Sequence, residues 1–353
     1  MNEKNNSTNR IEYFDYLRIF ATFGVILLHV AAEYWYTSDV TSYEWNVLNV
    51  YDNISRWTVP IFVMISGSLF LEQNYSVSSM YKKFIFRLVP AFLFWSALYA
   101  MINMVQNHLS PVKVIAQMIK GHFHMWFIPM IIGLYIITPF LKKIAESMKL
   151  TKYFLIVCFI FSFVMPNITT IISLIDGDLG YSVSQVTGNL YFYFTFGFVG
   201  FYVLGYYLNR IDTAHKLKWP LYILGIIGAL STIALTVIFS RRNQAAEGSL
   251  CWYLSVNVFL FSMGVFAFAK NNWNHINVSP SVKGIVQKMS KYSFGVYLVH
   301  VLVMEQLDIL FGINSLAFNP IISVPVISLL IFVISYMISA VLHHIPVLKK
   351  YIV

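Results

Sequence analysis

The stretch that decides the fold is residues 14–35, which read FDYLRIFATFGVILLHVAAEYW. Most of these side chains are apolar, and the stretch matches the roughly 20 residues that a helix needs to cross about 30 Å of hydrocarbon. It is longer than the apolar region of a signal peptide, and no small-residue cleavage site follows it. We therefore interpret it as a membrane-spanning helix.

Similar stretches recur along all 353 residues. Hydrophobic residues make up 58% of the chain and charged residues only 11%, whereas soluble domains carry roughly a quarter charged residues. We predict an all-α, polytopic integral membrane protein with about ten transmembrane helices. Residues 1–353 are expected to form a single membrane domain, in which 1–13 is a cytoplasmic N-terminal tail. The expected spans are 14–35, 54–72, 84–106, 124–141, 153–174, 190–208, 219–240, 251–269, 292–312 and 320–342.

Loop charge predicts the orientation. With the N-terminus and the C-terminus cytoplasmic, 19 of the 24 Lys and Arg residues lie on the inner side, as the positive-inside rule requires. This split explains the net charge of +9 without a nucleic-acid partner. The lipid bilayer is the expected surrounding, and a bacterial cytoplasmic membrane is the expected location. The outer stretches 36–53 and 175–189 are expected loops, and 111–120 is an expected short surface helix.

Metal and cofactor motifs are absent from the sequence. Two cysteines, Cys158 and Cys251, are too few for a disulfide framework or a structural zinc site. No H-x-x-x-H, H-E-x-x-H, Walker or dinucleotide pattern occurs. We therefore expect no metal and no permanently bound cofactor.

Ionisable residues in the first span suggest a polar passage, because charge within a membrane is costly and usually functional. Arg18 and His29 are eleven residues apart, about three helical turns, so they share one face at a separation of roughly 16 Å. Arg18 would hold an anion, and His29 would act as general base with Glu33 orienting it. The alternative is that Asp15 and Arg18 form a surface ion pair and His29 is a packed core residue.

Other spans supply supporting candidates. Lys83 and Arg87 lie near the expected cytoplasmic end of the third span, where they would help Arg18 to bind a polyphosphate. Ser66 could satisfy a polar neighbour, whereas Gly67 favours close helix packing. A positive-inside loop explains Lys83 equally well.

Polar and aromatic residues at the outer end of the fourth span and within the ninth span are further candidates. His124 and Trp126 open the fourth span, although an interfacial aromatic belt explains Trp126 more simply. His300 lies near the depth of His29 on another span, which suggests a shared site, with packing as the alternative. Ser66, Tyr297 and His300 are candidates to stabilise an oxyanion.

Four motifs in order resemble the acyltransferase-3 family of integral membrane acyltransferases. They cover most of the chain, from residue 15 to residue 300. The resemblance is carried by Asp15, Arg18 and His29, by VPIFVMISG at 59–67, by HMWF at 124–127 with Tyr135 and Pro139, and by SFGVYLVH at 293–300. Within the family the chain is most similar to the stand-alone O-acetyltransferase of enterobacterial common antigen.

The resemblance implies transfer of an acetyl group from cytoplasmic acetyl-CoA to a hydroxyl of a surface glycan or its lipid-linked precursor. It also implies that Arg18 and His29 are essential. Many members carry R-x-x-R before a proline in the third span, but here Phe84 replaces the first arginine and Lys83 stands beside it.

Two other functions remain open from the sequence. A transporter or exporter of a glycan or small solute would also place polar residues at mid-membrane. However, the chain has no detectable repeated halves. A silent partner of a glycan synthase would not need Arg18 and His29. The acceptor and the oligomeric state are not encoded in any recognisable pattern.

Overall fold

The structure, a computed structural model, describes residues 10–73, 75–108, 110–188, 197–274 and 276–353. Every regular element in these ranges is helical. The α-helices are α1 Glu12–Ala32, α2 Tyr43–Ile54, α3 Thr58–Glu72, α4 Val77–Met80, α5 Phe86–Asn107, α6 Pro111–Lys120, α7 Phe127–Ala145, α8 Met148–Cys158, α9 Met165–Ile175, α10 Gly177–Gly188, α11 Val199–Arg210, α12 Lys218–Asn243, α13 Val256–Trp273, α14 Pro280–Phe311, α15 Pro320–His344 and α16 Pro346–Tyr351.

Short non-α turns complete several of the long helices. A π-helical turn at Tyr81–Ile85 joins α4 to α5, and another at Phe159–Val164 joins α8 to α9. A 3₁₀ turn at Phe123–Trp126 opens α7, and a second one, Ser249–Cys251, precedes α13. These turns keep the backbone hydrogen-bonded within each apolar segment, as hydrocarbon demands.

The polytopic architecture predicted from the sequence is confirmed. In the described ranges, nine helical segments are long and apolar enough to cross a membrane. They correspond to nine of the ten expected spans. The sixth expected span, 190–208, lies partly outside the described residues, and its described part contains the 12-residue helix α11.

The expected outer loop 175–189 is corrected by the structure, because Gly177–Gly188 forms helix α10. The expected outer loop 36–53 is corrected as well, because most of it is helix α2. Ser42 caps this helix by accepting a hydrogen bond from the backbone N–H of Trp45. The polar face that suggested a loop is buried, and Asp52 pairs with Arg56 at 2.6 Å. Burial of polar residues in mutually satisfied pairs cannot be seen in hydropathy alone. The short helix expected at 111–120 is confirmed as α6.

Helix α1 lies at the centre of the fold and contacts α2, α3, α13, α14 and α15. Its N-terminal half packs Tyr13, Phe14 and Leu17 into one buried cluster, shared with α3, α7 and α11. Its C-terminal half packs Ile26 and Val30 into a second cluster, shared with α5, α14 and α15. Helix α1 therefore connects the two clusters, and its polar residues Arg18 and His29 line a cavity beside it.

Helices α3 and α11 cross at backbone contact through two glycines. A Cβ added at Gly67 would lie 1.8 Å from the Tyr202 carbonyl oxygen, and one at Gly205 would lie 2.0 Å from the Met64 carbonyl oxygen. Small residues at such crossings let membrane helices approach closely. The packing interpretation of Gly67 is therefore confirmed.

We expect Gly67→Ala to destabilise the protein by about 1–3 kcal/mol or more, because backbone at the crossing cannot move aside as a side chain can. Thermal unfolding in detergent, followed by size-exclusion chromatography, measures the effect. Gly133→Ala is the matched control, since a Cβ there meets nothing within 4 Å and alanine favours helix. Equal stability of the two variants would contradict the backbone crossing.

Candidate active site

One continuous cavity of about 390 Å³ runs beside α1 and contains most of the residues selected from the sequence. Three cations, Arg18, Arg87 and Lys291, line one end, on the side of the predicted cytoplasmic loops. Two histidines, His29 and His124, line the other. Apolar side chains form much of the wall between them, and no carboxylate occurs among the described lining residues.

Arg18 is held at the cationic end by a buried carboxylate. Asp15 is 2% exposed, and its Oδ1 lies 3.4 Å from Nη1 of Arg18. Arg10 donates to both carboxylate oxygens of Asp15 at 2.6 and 3.0 Å, and the Ser290 hydroxyl donates to Oδ1 at 2.6 Å. Asp15 therefore keeps hydrogen-bond partners without Arg18, and Arg18 retains donors for an anion in the cavity.

The other two expected donor-binding cations differ in position. Arg87 lines the cavity, and its Nη2 donates to the Val353 carbonyl oxygen at 2.7 Å. Lys83 does not line the cavity; its ammonium lies 5.8 Å from the Tyr75 ring centroid and 5.6 Å from that of Phe84. Cation–π contacts of this kind stabilise an exposed lysine locally. Lys291 occupies the cationic end where the sequence suggested Lys83.

His29 and His300 form a directly hydrogen-bonded pair, so the structure brings together the two histidines that their depth had suggested as neighbours. His29 Nδ1 lies 2.8 Å from His300 Nε2, and His300 Nδ1 lies 2.7 Å from the Tyr297 carbonyl oxygen. A carbonyl only accepts, so His300 carries its proton on Nδ1 and accepts at Nε2. His29 must then donate through Nδ1, which leaves a lone pair on its Nε2.

The orienting role expected for Glu33 is corrected by this geometry. The Nδ1 of His29 is occupied by His300, and Glu33 does not line the described cavity. The backbone N–H of Glu33 donates to the His29 carbonyl oxygen as the cap of α1. The i, i+4 spacing of His29 and Glu33 predicted a contact between their side chains, but His300 on α14 already occupies the Nδ1 of His29.

The expected oxyanion donors have their protons committed elsewhere. The Tyr297 hydroxyl donates to the His124 carbonyl oxygen at 2.8 Å, and the Ser66 hydroxyl donates to the Phe62 carbonyl oxygen at 2.9 Å. His300 donates to Tyr297, as described above. Ser66 and Tyr297 line the cavity all the same, so they shape it rather than offer a free proton.

Aromatic residues close the histidine end. Trp126 lines the cavity there, and its ring centroid lies 5.6 Å from that of Tyr253 and 6.2 Å from that of Trp252. Trp126 therefore lines the cavity, which an interfacial aromatic belt alone does not explain. Tyr253 was missed in the sequence because a single tyrosine in a loop carries no spacing signal.

Three residues that contact His124 or Asp15 were not predicted from the sequence: His122, Ser290 and Arg10. His122 lies two residues before His124, and its Nδ1 is 3.2 Å from that of His124. Only this alternate spacing of two histidines before an apolar span could have drawn attention to it. Ser290 and Arg10 come to Asp15 from α14 and from before α1, a proximity that no local pattern encodes.

Comparison with known proteins identifies the family of the chain. A family model described as an acyltransferase domain matches residues 11–340. The chain belongs to the acyltransferase-3 family. No curated protein matches it, and no solved structure does.

Membership of the acyltransferase-3 family makes this a multi-pass membrane acyltransferase, which uses an acyl donor and an acceptor. The matched segment contains every residue that lines the described cavity. An acyltransferase needs a place for an activated acyl group beside a base. The cavity beside α1 has the chemical components for both.

Proposed function

We propose that this acyltransferase moves an acetyl group from cytoplasmic acetyl-CoA to a hydroxyl of a cell-surface glycan or its lipid-linked precursor. One observation carries the proposal: a single cavity joins a cationic end to a histidine whose Nε2 lone pair is available. The Cα positions of Arg18 and His29 are separated by roughly 16 Å along α1, as helix rise dictates.

The cationic end suits the phosphates of coenzyme A. Arg18 and Arg87 offer planar guanidinium groups, which bind phosphate in a bidentate manner. Lys291 adds a third positive charge, and no carboxylate among the described lining residues opposes them. The uncharged pantetheine arm would pass along the apolar wall formed in part by Val25, Phe62 and Leu69. The thioester would then lie beside His29.

His29 would act as general base in direct transfer. Its Nε2 accepts the hydroxyl proton of the acceptor while the oxygen attacks the thioester carbonyl carbon. The C–S bond then breaks, and the proton on Nε2 passes to the departing thiolate, so protons balance. His300 would stabilise the imidazolium by accepting from Nδ1 and donating to the Tyr297 carbonyl. An acetyl-histidine intermediate is the other route for the same atoms.

The acceptor assignment rests on the motifs that resemble the O-acetyltransferase of enterobacterial common antigen. A bacterial cytoplasmic membrane would present acetyl-CoA on one face and a lipid-linked glycan on the other. The cavity has its cationic and histidine ends on the corresponding sides of the predicted topology. The enzyme would need no permanently bound cofactor, since acetyl-CoA is consumed as a substrate.

The test uses the purified full-length protein in detergent with acetyl-labelled acetyl-CoA. We expect saturable donor binding and release of CoA thiol, faster when a lipid-linked glycan is supplied. Replacing acetyl-CoA by succinyl-CoA tests the acyl group. Absence of donor binding would contradict the proposal. Solute uptake into proteoliposomes without acetyl-CoA would instead favour the transporter.

We expect His300→Phe to lower the rate of CoA release by about 10²-fold, because His29 loses the partner that sets its tautomer. Donor affinity should stay unchanged, since the cationic end is untouched. His343→Phe is the matched control: His343 is also a buried histidine whose Nδ1 meets a backbone carbonyl, that of Ser339 at 2.9 Å, but it lies on α15, whereas His300 hydrogen-bonds to His29. Similar losses in both variants would indicate a packing effect only.

A further inference from the structure

A second pair of histidines lies against the first, and the proposed chemistry does not use it. His124 Nδ1 lies 3.2 Å from His122 Nδ1, and His122 Nε2 lies 3.3 Å from Glu305 Oε1. His124 is 2% exposed, whereas the Glu305 side chain is 28% exposed. The three residues therefore form a chain of close polar contacts from the cavity wall toward the surface. The two histidines are hydrogen-bonded, and His122 lies at ion-pair distance from Glu305.

The partners in this chain assign the protons. The Glu305 carboxylate lies 3.3 Å from Nε2 of His122, where its negative charge favours a proton over a lone pair, so we place the proton of His122 on Nε2. When His122 is neutral, its Nδ1 accepts, and His124 donates through Nδ1. The Nε2 of His124 then keeps its lone pair. That atom is buried and has no hydrogen-bond partner within the described ranges.

The two histidine pairs meet edge to face. The ring of His124 lies 5.3 Å from that of His300 with an interplanar angle of 81°, and 6.4 Å from that of His29 at 75°. The ring of His122 follows at 5.3 Å from His124. The unprotonated edge of an imidazole is the negative end of its dipole. In a site of low dielectric, such a dipole interacts strongly with a nearby charge.

We propose that His124 stabilises the positive charge that forms on the His29–His300 pair when His29 takes the acceptor's proton. His122 and Glu305 are then positioning residues, because they keep the Nε2 of His124 unprotonated. The inference rests on the proposed acyl transfer. It also accounts for a cavity that develops positive charge although no carboxylate occurs among its described lining residues.

Other charged and titratable groups face this chain from each neighbouring element. On α14 the ring of Tyr297 lies 5.5 Å from that of His124, and at the end of α1 Glu33 interacts electrostatically with Glu305 and Asp308. Tyr99 of α5 stacks on His122 at 4.3 Å, and its hydroxyl donates to the Leu298 carbonyl oxygen. The positive charge of Arg56 would repel positive charge on His29. However, the Asp52 carboxylate pairs with Arg56 at 2.6 Å and neutralises the charge of Arg56. Glu305 is therefore the carboxylate that acts through the histidines.

The decisive variant is Glu305→Leu. Without the carboxylate beside Nε2, His122 can carry its proton on Nδ1 instead. The proton of His124 then lies on Nε2, which reverses the dipole of its ring. We measure CoA release from acetyl-CoA, with water as the acceptor, as a function of pH. We expect the maximal rate to fall about tenfold and the acid limb of the profile to move about one pH unit lower, because a less stabilised imidazolium protonates at lower pH.

Two further variants separate positioning from packing. Glu305→Gln keeps a carbonyl oxygen for His122 and should restore most of the rate, with donor affinity unchanged in all cases. Asp308→Leu removes a carboxylate from the same helix, one that accepts from Asn314 at 2.7 Å rather than from a histidine. It should leave the acid limb in place. A wild-type rate and acid limb in Glu305→Leu would overturn the inference.

Nuclear magnetic resonance of the protein labelled with ¹⁵N-histidine tests the same point without turnover. The His124 signals are assigned by their loss in His124→Phe. We expect an unprotonated Nε2 in the wild type and a protonated one in Glu305→Leu. An identical His124 tautomer in both would overturn the inference, whereas absence of CoA release by the wild type would count against the acyl transfer itself.

Discussion

We expect His29→Gln to lower the rate of acyl transfer by a factor of about 10²–10⁴, the range that a positioned general base contributes. Glutamine can still hydrogen-bond to His300, so the local packing is largely retained. It cannot accept a proton from the attacking hydroxyl. CoA release measures the loss, and equilibrium binding of labelled acetyl-CoA should remain near the wild-type value because the cationic end lies roughly 16 Å away.

His343→Gln provides the control for His29→Gln. His343 is 7% exposed, and its Nδ1 donates to the Ser339 carbonyl oxygen within α15. The substitution is chemically the same and should leave CoA release unchanged. If His29→Gln retained full activity, His29 would not be the base. If it lost donor binding together with turnover, His29 would act in donor placement instead.

We expect Arg18→Gln to weaken acetyl-CoA binding by about 10–150-fold, which corresponds to the roughly 1.5–3 kcal/mol of a hydrogen bond to a charged group. The loss should fall as ionic strength rises, because salt screens the charge that is removed. The fold should survive, since Asp15 keeps Arg10 and Ser290 as partners. Isothermal titration in detergent at two salt concentrations measures the effect.

Arg210→Gln is the matched control for Arg18→Gln. Arg210 also pairs with a carboxylate, Glu72 at 3.5 Å, and lies outside the cavity lining. It should bind acetyl-CoA as the wild type does. An equal loss in both variants would mean that the donor responds to general surface charge. An unchanged affinity in Arg18→Gln would remove Arg18 from the donor site.

The architecture was predictable because hydrocarbon imposes a length and a composition on each span. Residues 14–35 predicted a helix, and α1 covers Glu12–Ala32. The 3.6-residue repeat also placed Arg18 and His29 on one face, and both line the same cavity. The α2 helix was missed because three of its five buried residues are polar, and polarity in an outer segment resembles a loop until the partners are known.

The sequence by itself determined an all-α membrane fold, because any backbone in hydrocarbon must satisfy its hydrogen bonds within a helix or a closed barrel. It also determined which residues could share a face of α1. Only the tertiary structure decided that His300 rather than Glu33 hydrogen-bonds to the imidazole of His29, and that His122 lies between His124 and Glu305. A hydrogen-bond partner depends on distances of about 3 Å between different helices, and helical periodicity sets positions along one helix only.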